Sequence, residues 1–302
     1  MSRGKQKGAK EGFREHFPGA HYDEPLSGHT SFRIGGPADV FVLPKTSDEL
    51  LDVYTKCFLY EIPFTIIGDG SNILVRDKGI RGVVASTKHM DSMEIMPDGR
   101  ILAAAGARLS KLCEAACKNS FQGLEFASGI PGTVGGAVYM NAGAYGGEIG
   151  EFVESVTLYE DTTKSLAKKD LGFGYRKSVF QEQNALILEV RLVLTNGSQD
   201  KIRSKMNELN RKRKESQPLD AFSAGSTFKR PVGGFAAELI DRSGLKGFSV
   251  GGAKVSEKHA GFIINTGGAK AYDVIRLMEI VKEKVFLDSG VLLSPEVRIL
   301  GD

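Results

Sequence analysis

Three polar side chains in this chain could bind an anion or transfer a proton. They are Arg176, Ser226 and Glu296. A guanidinium group binds a carboxylate through two parallel hydrogen bonds, whereas a carboxyl or hydroxyl group can deliver a proton. Each residue also has a structural explanation, because arginine and glutamate are common on exposed faces and a serine beside a glycine is common in turns and helix caps. Spacing alone favours the structural explanation for Arg176 and Ser226 and leaves both explanations open for Glu296.

The surroundings of the candidate residues speak against two enzyme classes. Ser226 is not part of a G-x-S-x-G pattern, which disfavours an acyl-transfer hydrolase. His259 has no cysteine or second histidine near it, so a capping or packing role is favoured over a metal site. Cys113 and Cys117 are spaced i, i+4 on a predicted helix, but no companion cluster accompanies them. No metal centre is therefore predicted.

Two glycine-rich stretches point to a phosphorylated or flat ligand. One is Gly68-Asp69-Gly70-Ser71-Asn72, and the other runs over residues 129–148. Glycine has no Cβ and tolerates positive φ, so successive amide N–H groups can converge on an anion or on the edge of a cofactor. Two such cradles suggest an extended dinucleotide. No G-x-G-x-x-G opens a helix at either place, so the standard Rossmann fingerprint is missing.

The elements around the first stretch follow a β-α-β order. Residues 40–43 are predicted to form a strand, a capping box at residues 46–49 opens a helix that runs toward residue 59, and residues 64–67 form the next strand. Ligands of open α/β sheets bind at the carboxyl ends of strands. The loop at residues 68–72 is therefore predicted to lie at a ligand-binding edge.

Further elements are predicted from periodicity, and they continue to the C-terminus. They are short strands over 82–106, a helix over 109–119, strands at 154–159 and 185–194, a charged helix or linker over 201–214, a helix at 235–241, strands near 261–264, and a helix over 272–286. The last helix carries Val274, Leu277, Met278, Val281 and Val285 on one face. Residues 294–299 alternate as a strand would, which places Glu296 and Arg298 on one face.

Composition is that of a soluble globular protein. The chain has 302 residues, 41% of them hydrophobic and 25% charged, and a formal net charge of +3, which gives no basic field large enough to indicate nucleic acid. Arg211-Lys212-Arg213-Lys214 lacks aromatic neighbours, so a solvated helix end is favoured over nucleic-acid binding. Three cysteines fit a reducing compartment. Without a secretory signal or a run of about 18 apolar residues, a cytoplasmic protein is predicted.

Six separated phrases, in this order, closely resemble the UDP-N-acetylenolpyruvoylglucosamine reductases, flavoenzymes of peptidoglycan precursor synthesis. They extend from residue 29 to the C-terminus and are H-T-S-F-R-I-G-G-P-A-D from His29, G-D-G-S-N from Gly68, the stretch from Gly129 to Gly146, Tyr175-Arg176, A-G-S-T-F-K-R-P from Ala224, and P-E-V-R from Pro295. Six motifs that occur in the same order as in the family indicate that family far more specifically than any one motif does.

The resemblance implies an α+β fold of the vanillyl-alcohol-oxidase (PCMH) type. It implies a flexible basic tail at 1–20, two FAD-binding subdomains at 21–88 and 89–200, and a C-terminal α+β substrate domain at 201–302. The chain is short between residues 228 and 268, so it looks like the form of the family without the extra tyrosine loop. Arg230 stands where the longer form has an asparagine, so the diphosphate contacts are expected to differ.

The resemblance also implies the roles of individual residues. Arg176, Ser226 and Glu296 are implied to be catalytic. The cofactor-binding residues implied are Arg33, Gly68, Asp69, Gly70, Ser71, Asn72, Gly129, Ile130, Pro131, Gly132, Gly135, Gly136, Asn141, Gly143 and Ala144, and the substrate-binding residues implied are Tyr145, Tyr175, Arg230 and Arg298. Neither glycine-rich stretch contains a histidine or cysteine, so FAD is expected to be held without a covalent bond.

The reaction implied is reduction of the enolpyruvyl ether of a UDP-sugar to a lactyl ether, with FAD as cofactor and NADPH as reductant. Hydride addition at C3 makes C2 carbanionic, and the charge spreads into the adjacent carboxylate as an enediolate. Arg176 and a protonated Glu296 are implied to stabilise that charge, and Ser226 is implied to protonate C2. A protonated Glu296 requires an apolar or crowded setting.

Two alternatives remain at this point: an oxidase of the same cofactor fold that returns electrons to oxygen, and a UDP-sugar or flavin-binding protein without turnover. The serine and glutamate phrases speak against an oxidase, since an oxidase needs no acid for a substrate carbon at that place. A monomer that contacts neither membrane nor nucleic acid is expected.

Overall fold

The computed structural model describes residues 15–302, so most of the tail predicted at 1–20 lies outside the described residues. The helices are α1 (Ser47–Leu59), α2 (Leu109–Lys118), α3 (Val134–Met140), α4 (Gln199–Ser216), α5 (Ala236–Arg242) and α6 (Ala271–Ser289). Short 3-10 turns occur at Leu26–His29, Thr87–His89, Glu125–Ala127, Ile149–Glu151, Lys168–Asp170 and Val179–Gln181. None of the helices in the described part combines the length and the apolar composition needed to cross a bilayer.

Most of the strands are short. They are β1 (His21–Pro25), β2 (Pro37–Val42), β3 (Phe64–Ile67), β4 (Ile73–Val75), β5 (Ile80–Ser86), β6 (Met93–Ile95), β7 (Arg100–Ala104), β8 (Phe121–Gln122), β9 (Gly143–Ala144), β10 (Gly147–Glu148), β11 (Val153–Tyr159), β12 (Thr163–Ala167), β13 (Leu186–Val193), β14 (Thr195–Asn196), β15 (Ser249–Val250), β16 (Ala253–Val255), β17 (Ile263–Asn265) and β18 (Arg298–Leu300).

Two larger sheets carry the first two thirds of the described chain. The first has the order β1-β2-β5-β3, in which β5 runs parallel to both β2 and β3. The second has the order β12-β11-β13-β7-β6 and is antiparallel throughout. A three-stranded sheet, β15-β16-β17, follows later in the chain. Segregated mixed and antiparallel sheets with packed helices are the α+β arrangement that the resemblance implies.

Helix α1 begins at the predicted cap, with one difference. The Thr46 hydroxyl accepts a hydrogen bond from the Glu49 N–H at 3.1 Å, as an N-cap does. The Glu49 carboxylate accepts from the N–H of Lys45 at 2.7 Å, whereas a capping box would have it accept from Thr46. The predicted box is therefore half formed, with its second bond displaced by one residue.

Helix α6 forms the centre of the C-terminal core. Its five predicted core residues, Val274, Leu277, Met278, Val281 and Val285, are all buried. Because these side chains recur every three or four residues, they form one stripe that packs on the sheet β15-β16-β17 and on α5. Gly290, with φ of +72°, ends the helix. The periodicity of the sequence located this helix to within three residues at each end.

The end of the chain differs from the predicted strand at 294–299. Strand β18 starts only at Arg298, and it pairs in parallel with β4. Glu296 lies before this strand, and its backbone bonds to two other segments. The Glu296 N–H donates to the Thr227 carbonyl at 2.8 Å, and the Glu296 carbonyl accepts from the Asn72 side-chain amide at 3.3 Å. The segment before β18 therefore connects two loops instead of extending a sheet.

Candidate active site

Arg176 and Glu296 form an ion pair although they are 120 residues apart. The Arg176 Nε–H donates to Glu296 Oε1 at 2.5 Å, and the two side chains are 18% and 12% exposed. Arg176 Nη2 also donates to the Gly143 carbonyl at 3.0 Å. The guanidinium is thus fixed at two of its nitrogens and leaves Nη1 for a ligand. The guanidinium is therefore held in one orientation with one nitrogen still able to donate.

The backbone at Arg176 is unusual for a side-chain-bearing residue. Its φ is +52°, in the left-handed region that mainly glycine adopts. It lies in a tight bend closed by hydrogen bonds between Gly174 and Lys177, and its guanidinium carbon stands 5.2 Å from the centroid of the Tyr175 ring. Such a conformation persists only where the surrounding structure enforces it, and it is enriched at functional sites.

Ser226 is linked to Glu296 through the backbone. Its segment pairs with Phe262, and the neighbouring Thr227 donates its N–H to the Gly261 carbonyl at 2.8 Å. The Thr227 carbonyl accepts the Glu296 N–H at 2.8 Å. The Ser226 hydroxyl has no hydrogen-bond partner within residues 15–302 and is half-buried. The structure therefore brings all three predicted catalytic residues to one region and leaves the hydroxyl available.

The two glycine-rich loops pack directly against each other. A Cβ on Gly68 would lie 2.5 Å from Thr133 Oγ1, and a Cβ on Gly132 would lie 2.7 Å from Ser71 Oγ. The Ser71 hydroxyl also donates to the Pro131 carbonyl at 3.1 Å. Close loop-to-loop packing requires these glycines, and the two predicted cradles present one continuous surface.

Backbone donors line this joint surface. Among the described residues none accepts a hydrogen bond from the main-chain N–H of Asp69, Gly70, Ser71 or Asn72. The N–H groups of Gly132 and Thr133 are likewise without a partner in residues 15–302. Clustered unpaired N–H groups on a glycine loop favour a phosphate or pyrophosphate. The loops therefore fit the pyrophosphate of a dinucleotide such as FAD.

Replacement of Gly68 by alanine should separate the two loops and weaken FAD binding. The new Cβ would overlap the Thr133 hydroxyl, and overpacking of this kind costs roughly 1–3 kcal/mol. FAD titration of the apoprotein measures the change in dissociation constant. Gly234→Ala is the matched control, since a Cβ there meets nothing within 4 Å. Equal FAD affinity in both variants would contradict the role given to loop packing.

Three predicted cofactor residues have most of their polar groups committed to the protein. Asn141 donates to Glu148 at 2.7 Å and to the Gly174 carbonyl at 2.9 Å, and its amide oxygen accepts from Gly150 at 2.9 Å. The Gly135 N–H donates to the Ala105 carbonyl at 2.8 Å, and the Ile130 N–H to Ala127 at 2.9 Å. These polar groups hold the loops in shape, and the assignment of the three residues to the cofactor stays a prediction.

The other predicted cofactor residues are half-buried or exposed and lie in a strand, a helix and loops. Gly143 and Ala144 form β9, whose hairpin with β10 carries Tyr145 at its tip. Gly136 donates to its own N-cap, Thr133, at 3.2 Å. Arg33, with φ of +55°, lines a polar cleft of about 200 Å³ together with Gly68 and Asp69. Gly129 lies beside α4.

The same cleft contains residues that the sequence did not single out. Lys88 donates to His29 Nδ1 at 3.3 Å, and the opposite ring nitrogen of His29 lies 2.7 Å from the Glu24 carboxylate. Ser86 is the last residue of β5, which runs parallel to β3, and Lys88 comes two residues later. Because parallel strands end at the same edge of a sheet, the strand order could have indicated these residues.

Among the predicted substrate residues, Tyr175 and Arg230 are hydrogen-bonded to each other, whereas Arg298 packs on a different ring. The Tyr175 hydroxyl accepts from the Arg230 N–H at 3.0 Å, and the Arg230 guanidinium carbon lies 4.4 Å from the centroid of the Phe235 ring. The Tyr145 and Tyr175 rings are 48% and 47% exposed, so both can still be covered by a ligand. Arg298 stacks instead on Tyr139, at 4.9 Å.

Histidine and cysteine side chains have the packing roles predicted for them. Burial lowers the pKa of His259, whose Nδ1 accepts from the Gly261 N–H at 3.2 Å and whose ring contacts Phe262 edge to face. Burial raises the pKa of both Cys57 and Cys113 to about 12, and Cys117 is also buried. The thiols of Cys57 and Cys113 therefore stay protonated near neutral pH.

Two family models match the chain. One is described as the C-terminal domain of UDP-N-acetylenolpyruvoylglucosamine reductase and matches residues 217–300. The other is described as an FAD binding domain and matches residues 38–164. The first contains Ser226 and Glu296, and the second contains both glycine-rich loops.

Relatives of the same description match almost the whole chain. A UDP-N-acetylenolpyruvoylglucosamine reductase of Caldanaerobacter subterraneus is 48% identical over 93% of this chain and 94% of its own length. One of Clostridium botulinum is 50% identical over 93% of this chain and 92% of its own. The crystal structure of the corresponding reductase of Thermus caldophilus superposes with a TM-score of 0.80 at 35% identity, covering 92% of this chain and 97% of that one.

Proposed function

The chain belongs to the UDP-N-acetylenolpyruvoylglucosamine reductase family, and we propose that Arg176, Ser226 and Glu296 carry out the family reaction in it. The enzyme is an FAD-dependent oxidoreductase that uses NADPH to reduce UDP-N-acetylglucosamine enolpyruvate to UDP-N-acetylmuramate. This reaction belongs to peptidoglycan precursor synthesis. The fold is the FAD-binding α+β fold of that family.

FAD fits the surface formed by the two glycine-rich loops. The backbone N–H groups of residues 69–72, with those of Gly132 and Thr133, would hold its pyrophosphate. FAD held there would supply the hydride-transfer chemistry that connects NADPH with the substrate double bond. Residues of this chain would bind the substrate carboxylate, stabilise the enediolate and protonate C2.

Arg176 and Glu296 would bind the carboxylate of the enolpyruvyl group. Hydride addition at C3 leaves electron density on C2 and on this carboxylate, so a cation nearby lowers the energy of the enediolate. The free Nη1 of Arg176 can donate to one carboxylate oxygen, while Glu296 holds the guanidinium through Nε. The ion pair uses Glu296 as a carboxylate that accepts from Arg176, so the neutral, donating Glu296 that the resemblance implies would require this pair to open or to take up a proton.

Ser226 would deliver the proton to C2. Its hydroxyl is free of protein partners in the described chain, and its backbone is fixed relative to Glu296 through Thr227. A serine hydroxyl is a weak acid, but an enediolate carbon is a strong base, so the transfer is feasible where the alkoxide is stabilised.

The observation that carries this proposal is the half-buried contact between Arg176 and Glu296, because it joins two distant segments of the sequence at one point. The test is oxidation of NADPH by the purified enzyme under anaerobic conditions with the UDP-enolpyruvyl substrate. Turnover that requires this substrate supports the proposal. NADPH oxidation that depends on oxygen alone would instead indicate an oxidase.

The protein should purify yellow, with one FAD held without a covalent bond. The glycine-rich loops bind through backbone N–H groups and contain no histidine or cysteine that could be linked to the flavin. Acid precipitation followed by an absorbance spectrum of the supernatant measures the released FAD. Flavin that remains on the precipitated polypeptide would contradict this prediction.

We further propose that the enzyme acts in the cytoplasm as a monomer, without membrane or nucleic-acid partners. NADPH and a UDP-sugar are cytoplasmic metabolites, and all three proposed catalytic residues come from one chain. Equilibrium sedimentation of the holoenzyme tests the monomer.

A further inference from the structure

The bend that carries Arg176 is attached to the C-terminal end of α3. The Gly174 carbonyl accepts from the Asn141 side-chain amide at 2.9 Å, and the Ser178 hydroxyl donates to the Tyr139 carbonyl at 2.7 Å. Tyr139 is in the last turn of α3, and Asn141 follows the helix as its C-cap, with φ of +43°. Both flanks of the bend are therefore joined to one helix end.

Gln181, which is half-buried, connects this helix end with the bend itself. Its side-chain Nε2 donates to the Tyr139 carbonyl at 2.9 Å and to the Arg176 carbonyl at 3.1 Å. An amide nitrogen carries two protons, so each carbonyl can receive one. Among residues 15–302 no main-chain N–H donates to the Arg176 carbonyl, which leaves the Gln181 amide as its donor.

Arg176 needs such support because its backbone conformation is unfavourable. Its φ of +52° is kept by a residue with a Cβ only where neighbouring groups enforce it. From this bend the guanidinium reaches Glu296 and the Gly143 carbonyl. Rotation of the backbone at Arg176 would displace both contacts. The position of the guanidinium therefore depends on the bonds that hold the Arg176 carbonyl.

The helix that supports the bend also leads to the proposed cofactor surface. Helix α3 begins directly after Thr133, in the second glycine-rich loop, and a Cβ on Gly68 of the first loop would lie 2.5 Å from the Thr133 hydroxyl oxygen. The seven residues of α3 span about 10 Å. The two loops thus lie at one end of this helix and the Arg176 bend at the other.

We propose that Gln181 is a positioning residue that acts through Arg176. The proposal rests on the proposed function, because it requires Arg176 to bind the substrate carboxylate. By holding the Arg176 carbonyl at the end of α3, the Gln181 amide fixes the guanidinium relative to the loops at the other end of the helix. A small displacement of a group that stabilises developing charge costs a large factor in rate.

Gln181→Met tests this role, because methionine has a similar volume and no N–H group, so both carbonyls lose their donor. Reoxidation of the reduced flavin by the UDP-enolpyruvyl substrate should slow about tenfold or more. Flavin reduction by NADPH and the FAD dissociation constant should stay within about threefold of the parent. Stopped-flow absorbance and FAD titration measure these quantities. Gln183→Met makes the same change at an exposed residue and should match the parent in both half-reactions.

Two further variants separate hydrogen bonding from packing. Gln181→Lys supplies N–H donors again and should restore reoxidation to within a few-fold of the parent. Gln181→Glu keeps the shape but brings a carboxylate to two carbonyl oxygens, so it should be the slowest, and it replaces the methionine variant if that one does not fold. Equal reoxidation rates in the donor and non-donor variants would overturn the proposal. Equal slowing of both half-reactions would overturn it too, since Gln181 would then only hold the fold.

A double-mutant cycle with Arg176→Ala distinguishes failure of this proposal from failure of the proposed function. If Gln181 acts through Arg176, Gln181→Met should slow reoxidation no further in the Arg176→Ala background. Additive effects would overturn the positioning role. Slow reoxidation in Arg176→Ala with a parental rate in Gln181→Met would overturn this proposal alone. A parental rate in Arg176→Ala would overturn the proposed role of Arg176 and that of Gln181 with it.

Discussion

Ser226→Ala should be reduced by NADPH at nearly the parental rate, and its flavin should be reoxidised by the enolpyruvyl substrate about a hundred- to ten-thousandfold more slowly. Binding and reduction of the flavin move no proton to a substrate carbon, so they do not need this hydroxyl. Reoxidation by substrate leaves C2 as a strong base that must be protonated. Stopped-flow absorbance of the flavin, followed separately for the two half-reactions, measures both rates.

Two variants make the result specific. Ser226→Cys keeps a proton that can be transferred and should recover part of the lost rate. Ser223→Ala removes a hydroxyl three residues earlier and should behave like the parent. If Ser226→Ala turned over within a few-fold of the parent, water or another residue would be the acid, and Ser226 would have only the turn role that its neighbour Gly225 suggests.

Arg176→Ala should slow flavin reoxidation by substrate about a hundred- to a thousandfold and leave reduction by NADPH much less affected. Only reoxidation develops enediolate charge, and Arg176 has a nitrogen free to bind it. The same stopped-flow experiment separates the steps. Glu296→Gln, which replaces the carboxylate with a neutral group of the same shape, tells whether the ion pair or only its hydrogen bond is required.

Lys177→Ala is the control for Arg176. It removes a neighbouring cation whose side chain is 60% exposed in a surface pair with Glu182, and such pairs contribute little. Its two half-reactions should match those of the parent. Equal damage to both half-reactions in Arg176→Ala would mean that the residue holds the fold at its left-handed turn and does not act on the substrate.

Long periodic elements of this fold were predictable from the sequence. Helix α6 has five apolar residues at helical spacing, and strand β3 was predicted with its observed bounds, Phe64–Ile67. The two-residue strands and β18 were not, because their existence depends on partners far along the chain. Local periodicity contains no information about those partners.

The candidate site was predictable as a set of residues but not as an arrangement. Family phrases indicated Arg176 and Glu296, yet nothing in either phrase shows that the two side chains bind each other or that Arg176 has a positive φ. The burial of Arg213 Nε near the end of α4, in place of the predicted solvated helix end, was also predictable from the sequence. Arg213 continues the spacing of the buried residues Met206 and Leu209, so it falls on the buried face of the helix.

The parallel pairing of β18 with β4 has a consequence for synthesis of the protein on the ribosome. Glu296 contacts Asn72 across 224 residues of sequence. A growing chain can fold its first sheet early, but Arg176 lacks its partner Glu296 until residue 296 has left the exit tunnel. Prematurely terminated products should therefore be able to retain flavin-binding loops while remaining unable to reduce the substrate.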